Sequence, residues 1–347
     1  MCAEGGTGYN HSVTMGRSRN VWGPYEPDPN GPLVTSQPKE SNERADDDHL
    51  KPRYFNPDSV LQKSGHGSYV DLPNGETYLV HLTSRPFVPE LRCTLGRETA
   101  IQKMQWTSDG WLRMADGSNL AKIEVEEPNL PDVPMPEIPN FDDFDGGELG
   151  NWYYSPRQMP STFANATERP GWLRVRGEES LASLNRTSLL TRKLTSVYAT
   201  VTTKMEFEPE VYQHSAGLTI YYDNMNNIFL RKYYSQTLGG SAISIVRLEN
   251  GEKTEMLDTR VAVEDKPIYF RLNIEGRRTW FEWGYDGENW TKIGPDFDTT
   301  TFSDEYCKFG EFTGTMVGIA VTDASLHEKT ADFDFFDYEA DETKPVD

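Results

Sequence analysis

The chain has 347 residues, with 55 Asp and Glu against 34 Lys and Arg, and a net charge of −21. That balance repels nucleic-acid phosphates and anionic membrane surfaces and excludes both as partners, while a neutral polysaccharide is indifferent to it. Aromatic residues make up 12%, with 8 Trp and 17 Tyr, and since sugar sites and all-β cores are both aromatic-rich, the count selects neither.

The three cysteines, Cys2, Cys93 and Cys307, stand at no metal-like spacing, and an odd count gives no disulfide framework. Sequons at Asn10, Asn165, Asn185 and Asn289 matter only in a secretory setting. No apolar run reaches the length of about 18 residues that a membrane helix needs. The opening residues lack the apolar core of a signal peptide. Any targeting signal would have to precede Met1, so the sequence assigns neither cytoplasm nor secretion.

The chain opens on Ala3-Glu4-Gly5-Gly6-Thr7-Gly8-Tyr9-Asn10-His11. One carboxylate is followed closely by three glycines, and glycine permits positive φ and close approach of another group. Such a turn either aims Glu4 into a cleft or is simply solvated. Residues 11–17 are β-prone. Residues 26–58, rich in Pro, Asn, Asp and Lys with the run Asp46-Asp47-Asp48, read as a long mobile surface loop. Next comes Lys63-Ser64-Gly65-His66-Gly67-Ser68. A hairpin is predicted from residues 67–72 and 77–82 about Pro73-Asn74-Gly75. Cys93-Thr94-Leu95-Gly96-Arg97-Glu98-Thr99-Ala100-Ile101-Gln102 leads into a strand over residues 100–106.

From residue 124 to 139 the chain carries Pro128, Pro131, Pro134, Pro136 and Pro139, a density that no helix or central strand accepts. Residues 126–139 therefore read as a linker between residues 1–125 and a second domain over residues 140–338, with an acidic tail at 339–347. In the second domain Ala199, Val201, Met205 and Phe207 alternate with polar neighbours, as do Ile268, Phe270, Leu272 and Ile274. Asn250-Gly251 and Asp286-Gly287 are hairpin turns. Many short strands, regular turns and no helical period imply an all-β chain whose second part is an antiparallel sandwich.

The three motifs, in this order, resemble glycoside hydrolase family 43, in particular its β-xylosidases with a C-terminal concanavalin A-like β-sandwich. Ser18-Arg19-Asn20, Gly23-Pro24-Tyr25, residues 74–82 from Asn74 to Leu82 and Phe312-Thr313-Gly314 extend the likeness over nearly the whole chain. The resemblance implies the last blades of a five-bladed β-propeller followed by the sandwich. It implies inverting exo-hydrolysis of xylo-oligosaccharides or arabinosides, and homo-oligomers formed through the sandwich.

Inversion uses two carboxyl groups, one to protonate the leaving oxygen and one to activate water, about 6.5–9.5 Å apart. By resemblance Glu4 is the general acid. The family's general base and its pKa-tuning aspartate belong upstream of Met1 and are assigned to no residue here, so this chain is expected to show little or no activity alone. His66 takes a place on the propeller axis beneath the sugar, near a hydrated calcium ion, where an imidazole is itself a poor calcium ligand. Arg97 is a sugar contact, its fork suiting adjacent hydroxyls; its plain alternative is an ion pair with Glu98. Phe312 belongs to a sandwich loop that walls off the active site, and Thr7 and Tyr9 support the substrate pocket.

The clusters Asp142-Asp143-Asp145 and Asp332-Asp334-Asp337 lie at the two ends of the sandwich sequence. They are expected either to meet at a calcium ion or to form a solvated acidic edge. Two rival readings remain: a non-catalytic carbohydrate-binding or structural sandwich module, and an incomplete gene model whose start lies upstream. Xylose and arabinose specificity are not separable from the sequence.

Overall fold

In the computed structural model, which describes residues 1–37, 54–308 and 313–346, strands follow one another between the turn residues. The described residues contain no α-helix, and none of their helical segments could cross a membrane. The chain divides into two compact units, Met1–Met135 and Pro136–Asp347.

In the first unit β1 (Cys2–Glu4) pairs with β2 (Ser12–Thr14), and β3 (Gly16–Arg17) with β4 (Glu26–Pro27). β5 (Val34–Thr35) completes a three-stranded sheet with β1 and β2. β6 (Gln62–Asp71), β7 (Thr77–Ser84), β8 (Glu98–Trp106) and β9 (Leu112–Met114) form a four-stranded antiparallel meander, the unit from which propeller blades are built. Val13, Val34, Leu61, Leu79, Met104 and Leu112 share one apolar core between these sheets.

Two expectations change here. Residues 26–37 are not wholly loop: Leu33 and Val34 are buried, because β5 adds an apolar edge to β2. The run Asp46-Asp47-Asp48 lies outside the described residues. The proline-rich segment also begins tied down. The Glu126 carbonyl accepts from the Tyr78 hydroxyl at 3.0 Å, and the Asn129 amide donates to Glu76 at 2.9 Å.

The second unit runs β10 (Phe141–Asp142), β11 (Ala164–Asn165), β12 (Leu173–Arg176), β13 (Ser188–Lys193) and β14 (Tyr198–Glu206). It continues with β15 (His214–Asp223), β16 (Asn226–Ser235), β17 (Gly240–Glu249), β18 (Glu252–Ala262) and β19 (Ile268–Glu275). β20 (Arg278–Gly284), β21 (Thr291–Asp298), β22 (Met316–Asp323) and β23 (Thr330–Ala340) follow. An eight-stranded sheet, β11-β12-β23-β14-β19-β20-β21 with β10 also on β23, packs against a six-stranded one, β13-β22-β15-β16-β17-β18. β14 and β19 keep the half-buried alternation, but β15 is buried from His214 to Tyr222 on both faces. Asn250 and Gly251 both take positive φ (48° and 89°), as a two-residue hairpin between β17 and β18 requires. β23 runs to Ala340, paired with Ala199, so residues 339 and 340 belong to a strand.

The two acidic clusters do meet, since β10 pairs with β23. Two of their aspartates, however, are taken by basic side chains. Asp332 accepts from Arg169 at 2.9 Å and from Arg174 at 2.8 Å, and Asp334 from Lys204 at 2.6 Å. Among the described residues no group of three or more His, Cys, Asp or Glu side chains could hold a metal ion.

Candidate active site

β1 ends on Glu4, which faces Ser12 in register and is exposed. The Thr14 hydroxyl donates to Glu4 Oε1 at 3.3 Å. The chain then turns sharply. Gly5 has φ +79°, and a Cβ there would lie 2.4 Å from the Asn10 carbonyl oxygen, so only glycine fits. The Gly8 amide donates to the Gly5 carbonyl and the His11 amide to the Gly8 carbonyl, closing two successive turns. Thr7 and Tyr9 are buried inside them. The Tyr9 hydroxyl donates to the Leu91 carbonyl at 2.7 Å, while Thr7 Oγ1 makes no hydrogen bond among the described residues.

β6 reaches this turn through two irregularities. Its register with β7 shifts on either side of Gly65, and Lys63 and His66 adopt positive φ of 55° and 52°. Two bulges in a row re-aim side chains that a regular ladder would send elsewhere. They expose His66 and bury Ser64 and Gly65. A Cβ on Gly65 would stand 2.3 Å from the His11 ring, so this glycine makes room for a buried imidazole. His11 Nδ1 donates to the Lys63 carbonyl at 3.1 Å, and its ring meets that of His66 edge-on at 6.4 Å. Burial, first, and then the positive charge of His66, Arg97 and Lys63 lower the His11 pKa to about 4, against the opposing pull of the Lys63 carbonyl. His11 is therefore neutral near pH 7 and leaves Nε2 as an acceptor.

Arg97 follows Gly96, whose φ of +68° lets the chain bend and whose carbonyl accepts from the Ser84 hydroxyl at 2.7 Å. Arg97 is half-buried and lies close enough for its charge to act on His11. The neighbouring carboxylate, Glu98, is engaged by the fork of Arg85, with Nη2 at 2.7 Å. Phe312 lies outside the described residues.

His66 and Arg97 thus share one residue, His11, as their electrostatic neighbour, and β1 with Glu4 packs on β6, which carries His66. Reading from sequence ended its first motif on His11 without giving it a role. Its signal was the facing Gly65, a missing side chain in a strand, which marks a close approach. Among the described residues no group of three or more His, Cys, Asp or Glu side chains gathers here to ligate a metal directly, so a calcium ion near His66 would be held largely by water. The residues here offer imidazole nitrogens within a cationic surround of Lys63 and Arg97, whereas calcium requires several oxygens.

Residues 1–112 match the glycosyl hydrolases family 43, and residues 141–339 the β-xylosidase C-terminal concanavalin A-like domain. The chain belongs to glycoside hydrolase family 43. It is 34% identical to a xylan 1,3-β-xylosidase of Vibrio sp over 97% of this chain and 61% of that one. To a xylosidase/arabinosidase 43B of Humicola insolens it is 35% identical, over 97% and 61%. A crystal structure of xylan β-1,4-xylosidase from Bacillus halodurans C-125 matches with a TM-score of 0.87 and 41% identity, covering 97% of this chain and 62% of that one. The family 43 chain thus spans somewhat over three-fifths of the length of these relatives.

Proposed function

We propose that this family 43 chain serves a glycosidase of the β-xylosidase or α-L-arabinofuranosidase type. Its reaction is inverting release of single sugars from xylo-oligosaccharides or arabinosides. Glu4 is the general acid, delivering its proton to the leaving glycosidic oxygen as the bond to the anomeric carbon breaks. Water, deprotonated by a second carboxylate, attacks the opposite face of the ring. Arg97 grips adjacent sugar hydroxyls, and His66, with neutral His11 behind it, lies beneath the ring. Thr7 supports the pocket from within the turn.

The observation that carries this reading is the exposed Glu4 on a turn that only Gly5 permits, on a strand packed against the bulged one that presents His66. The names of the relatives support the sugar class. No general base is assigned among these residues, and an acid without a base leaves water unactivated.

Assayed as these 347 residues, the chain is expected to turn over aryl β-xylosides negligibly; brisk turnover abolished by Glu4→Gln would overturn that. Fused behind the remaining portion of a relative such as the Vibrio protein, it is expected to gain activity. There Glu4→Gln should cost about 10²–10⁴-fold on a poor leaving group, and far less on dinitrophenyl xyloside, which needs no protonation. Equal losses on both substrates would remove Glu4 from the acid role.

A further inference from the structure

The outer face of the six-stranded sheet in the second unit carries a cavity of about 250 Å³. Its floor is made by Asn227, Phe229 and Arg231, alternate residues of β16 that share one side of the sheet. Sheet faces that point away from a sandwich core are ordinarily solvated, yet Asn227 is fully buried and Phe229 is 5% exposed. Leu181, itself buried, packs against Phe229, and the exposed ring of Tyr212 stands at the rim.

The polar atoms on this floor are incompletely used. Asn227 Nδ2 donates to the Asp223 carbonyl at 3.1 Å, but Asn227 Oδ1 has no partner among the described residues. Arg231 Nε also has none, although the guanidinium lies 4.4 Å over the Tyr233 ring and 3.6 Å from Glu255. Across the ladder from Arg231 the buried Ser244 hydroxyl, and two residues further along β16 the Tyr233 hydroxyl, are likewise unpaired among the described residues. Orphaned buried polar atoms are rare in folded proteins, because each costs about 1–3 kcal/mol. Four lie on one stretch of sheet, and the two on Asn227 and Arg231 belong to residues that line the cavity, which marks a built site.

The chemistry of these groups selects the ligand. An unpaired acceptor, Asn227 Oδ1, lies four residues from an unpaired donor, Arg231 Nε, on the same side of β16, so the ligand must both donate and accept. Hydroxyl groups do this; a carboxylate only accepts, and would also face Glu255. Phe229, Leu181 and Tyr212 supply apolar surface of the kind that packs against the C–H face of a sugar ring. The volume lies just below the range of about 300–1,000 Å³ typical of sites for drug-sized ligands and suits a single ring better than a long chain.

We propose that this cavity binds a neutral sugar ring, separately from the Glu4 site. Arg231 and Asn227 read its hydroxyls, and Phe229 and Tyr212 pack on its face. The choice of a xyloside as probe rests on the proposed function. The two fail separately, since one is read by hydrolysis and the other by binding.

The test is calorimetric titration of the full chain carrying Glu4→Gln with methyl β-xyloside, xylobiose and glucuronic acid. Millimolar binding of the neutral sugars is expected, weakened at least tenfold by Arg231→Gln or Asn227→Leu and several-fold by Tyr212→Ala. Tyr212 is a rim residue, so its variant decides the matter if the buried replacements fail to fold. Absence of neutral-sugar binding would overturn the proposal. So would binding indifferent to all three groove variants, or preference for glucuronic acid.

Discussion

The residue that most constrains the candidate site is His11, which no motif reading assigned a task. It is buried and kept neutral mainly by desolvation, with the nearby charges of Arg97 and Lys63 acting in the same direction, and its pKa falls from 6.5 to about 4. The unfolded chain takes up this proton near pH 6.5 and the folded one only near pH 4. Between those values the unfolded state binds more protons, so stability rises with pH. The contribution is complete above pH 6.5 and is lost as pH falls towards 4, amounting to about 3 kcal/mol at about 1.4 kcal/mol per pKa unit. Denaturant unfolding of the parent and His11→Gln should therefore show a stability gap that shifts by about 2–3 kcal/mol in the variant's favour between pH 7 and pH 4.5. A gap that does not change with pH would refute the assignment. Glu4 was legible as a residue worth naming because glycines follow it closely, and His66 and Arg97 because their motifs resemble those of the family. That Gly65 is empty for the sake of His11 was not, since the two are far apart in sequence and meet only through the bulges of β6.

At the scale of the element, hairpins and half-buried strands were read well. Asn250-Gly251 turns where its positive φ angles demand, and β14 and β19 bury the alternate residues that the pattern picked out. What escaped was pairing between distant strands. β23 accepts β10, β12 and β14 as neighbours, and this brings Arg169 and Arg174 onto Asp332. In sequence the aspartate looked like part of an acidic edge or a calcium ligand; in the sheet it is the counter-ion of two guanidiniums. They hold its pKa down although burial pushes the other way. Asp332→Ala should lower unfolding stability by about 2 kcal/mol, less than the 3–5 of a fully buried pair because solvent reaches the arginines. Asp332→Asn should cost less, since its oxygen still accepts one hydrogen bond. An unchanged unfolding midpoint for Asp332→Ala would show that the arginines are satisfied without it.

For the molecule as a whole, division into two units was legible because proline at high density forbids regular structure over residues 126–139. The second unit, Pro136–Asp347, contains two complete sheets that bury their shared face, and a chain of about 200 residues buries ample core. Expressed alone, it is expected to melt in one cooperative transition with a β-rich spectrum. A broad, non-cooperative melt would show that it draws stability from elsewhere. The double-sided burial of β15 and β16 was not readable, because alternation reports only one covered face. The apolar cover over the other, Leu181 among it, comes from a separate stretch of chain.

The sequence by itself determined the all-β class, the hairpin turns and the family, because each is written in local periodicity, in glycine, or in contiguous motifs. Only the tertiary structure decided that His11 lies near both His66 and Arg97, that Asp332 answers two arginines, and that Asn227 and Arg231 keep unpaired atoms on a covered sheet face. Those facts arise from strand register and from bulges. Both are set by the packing of residues dozens or hundreds of positions apart, and no local pattern encodes them.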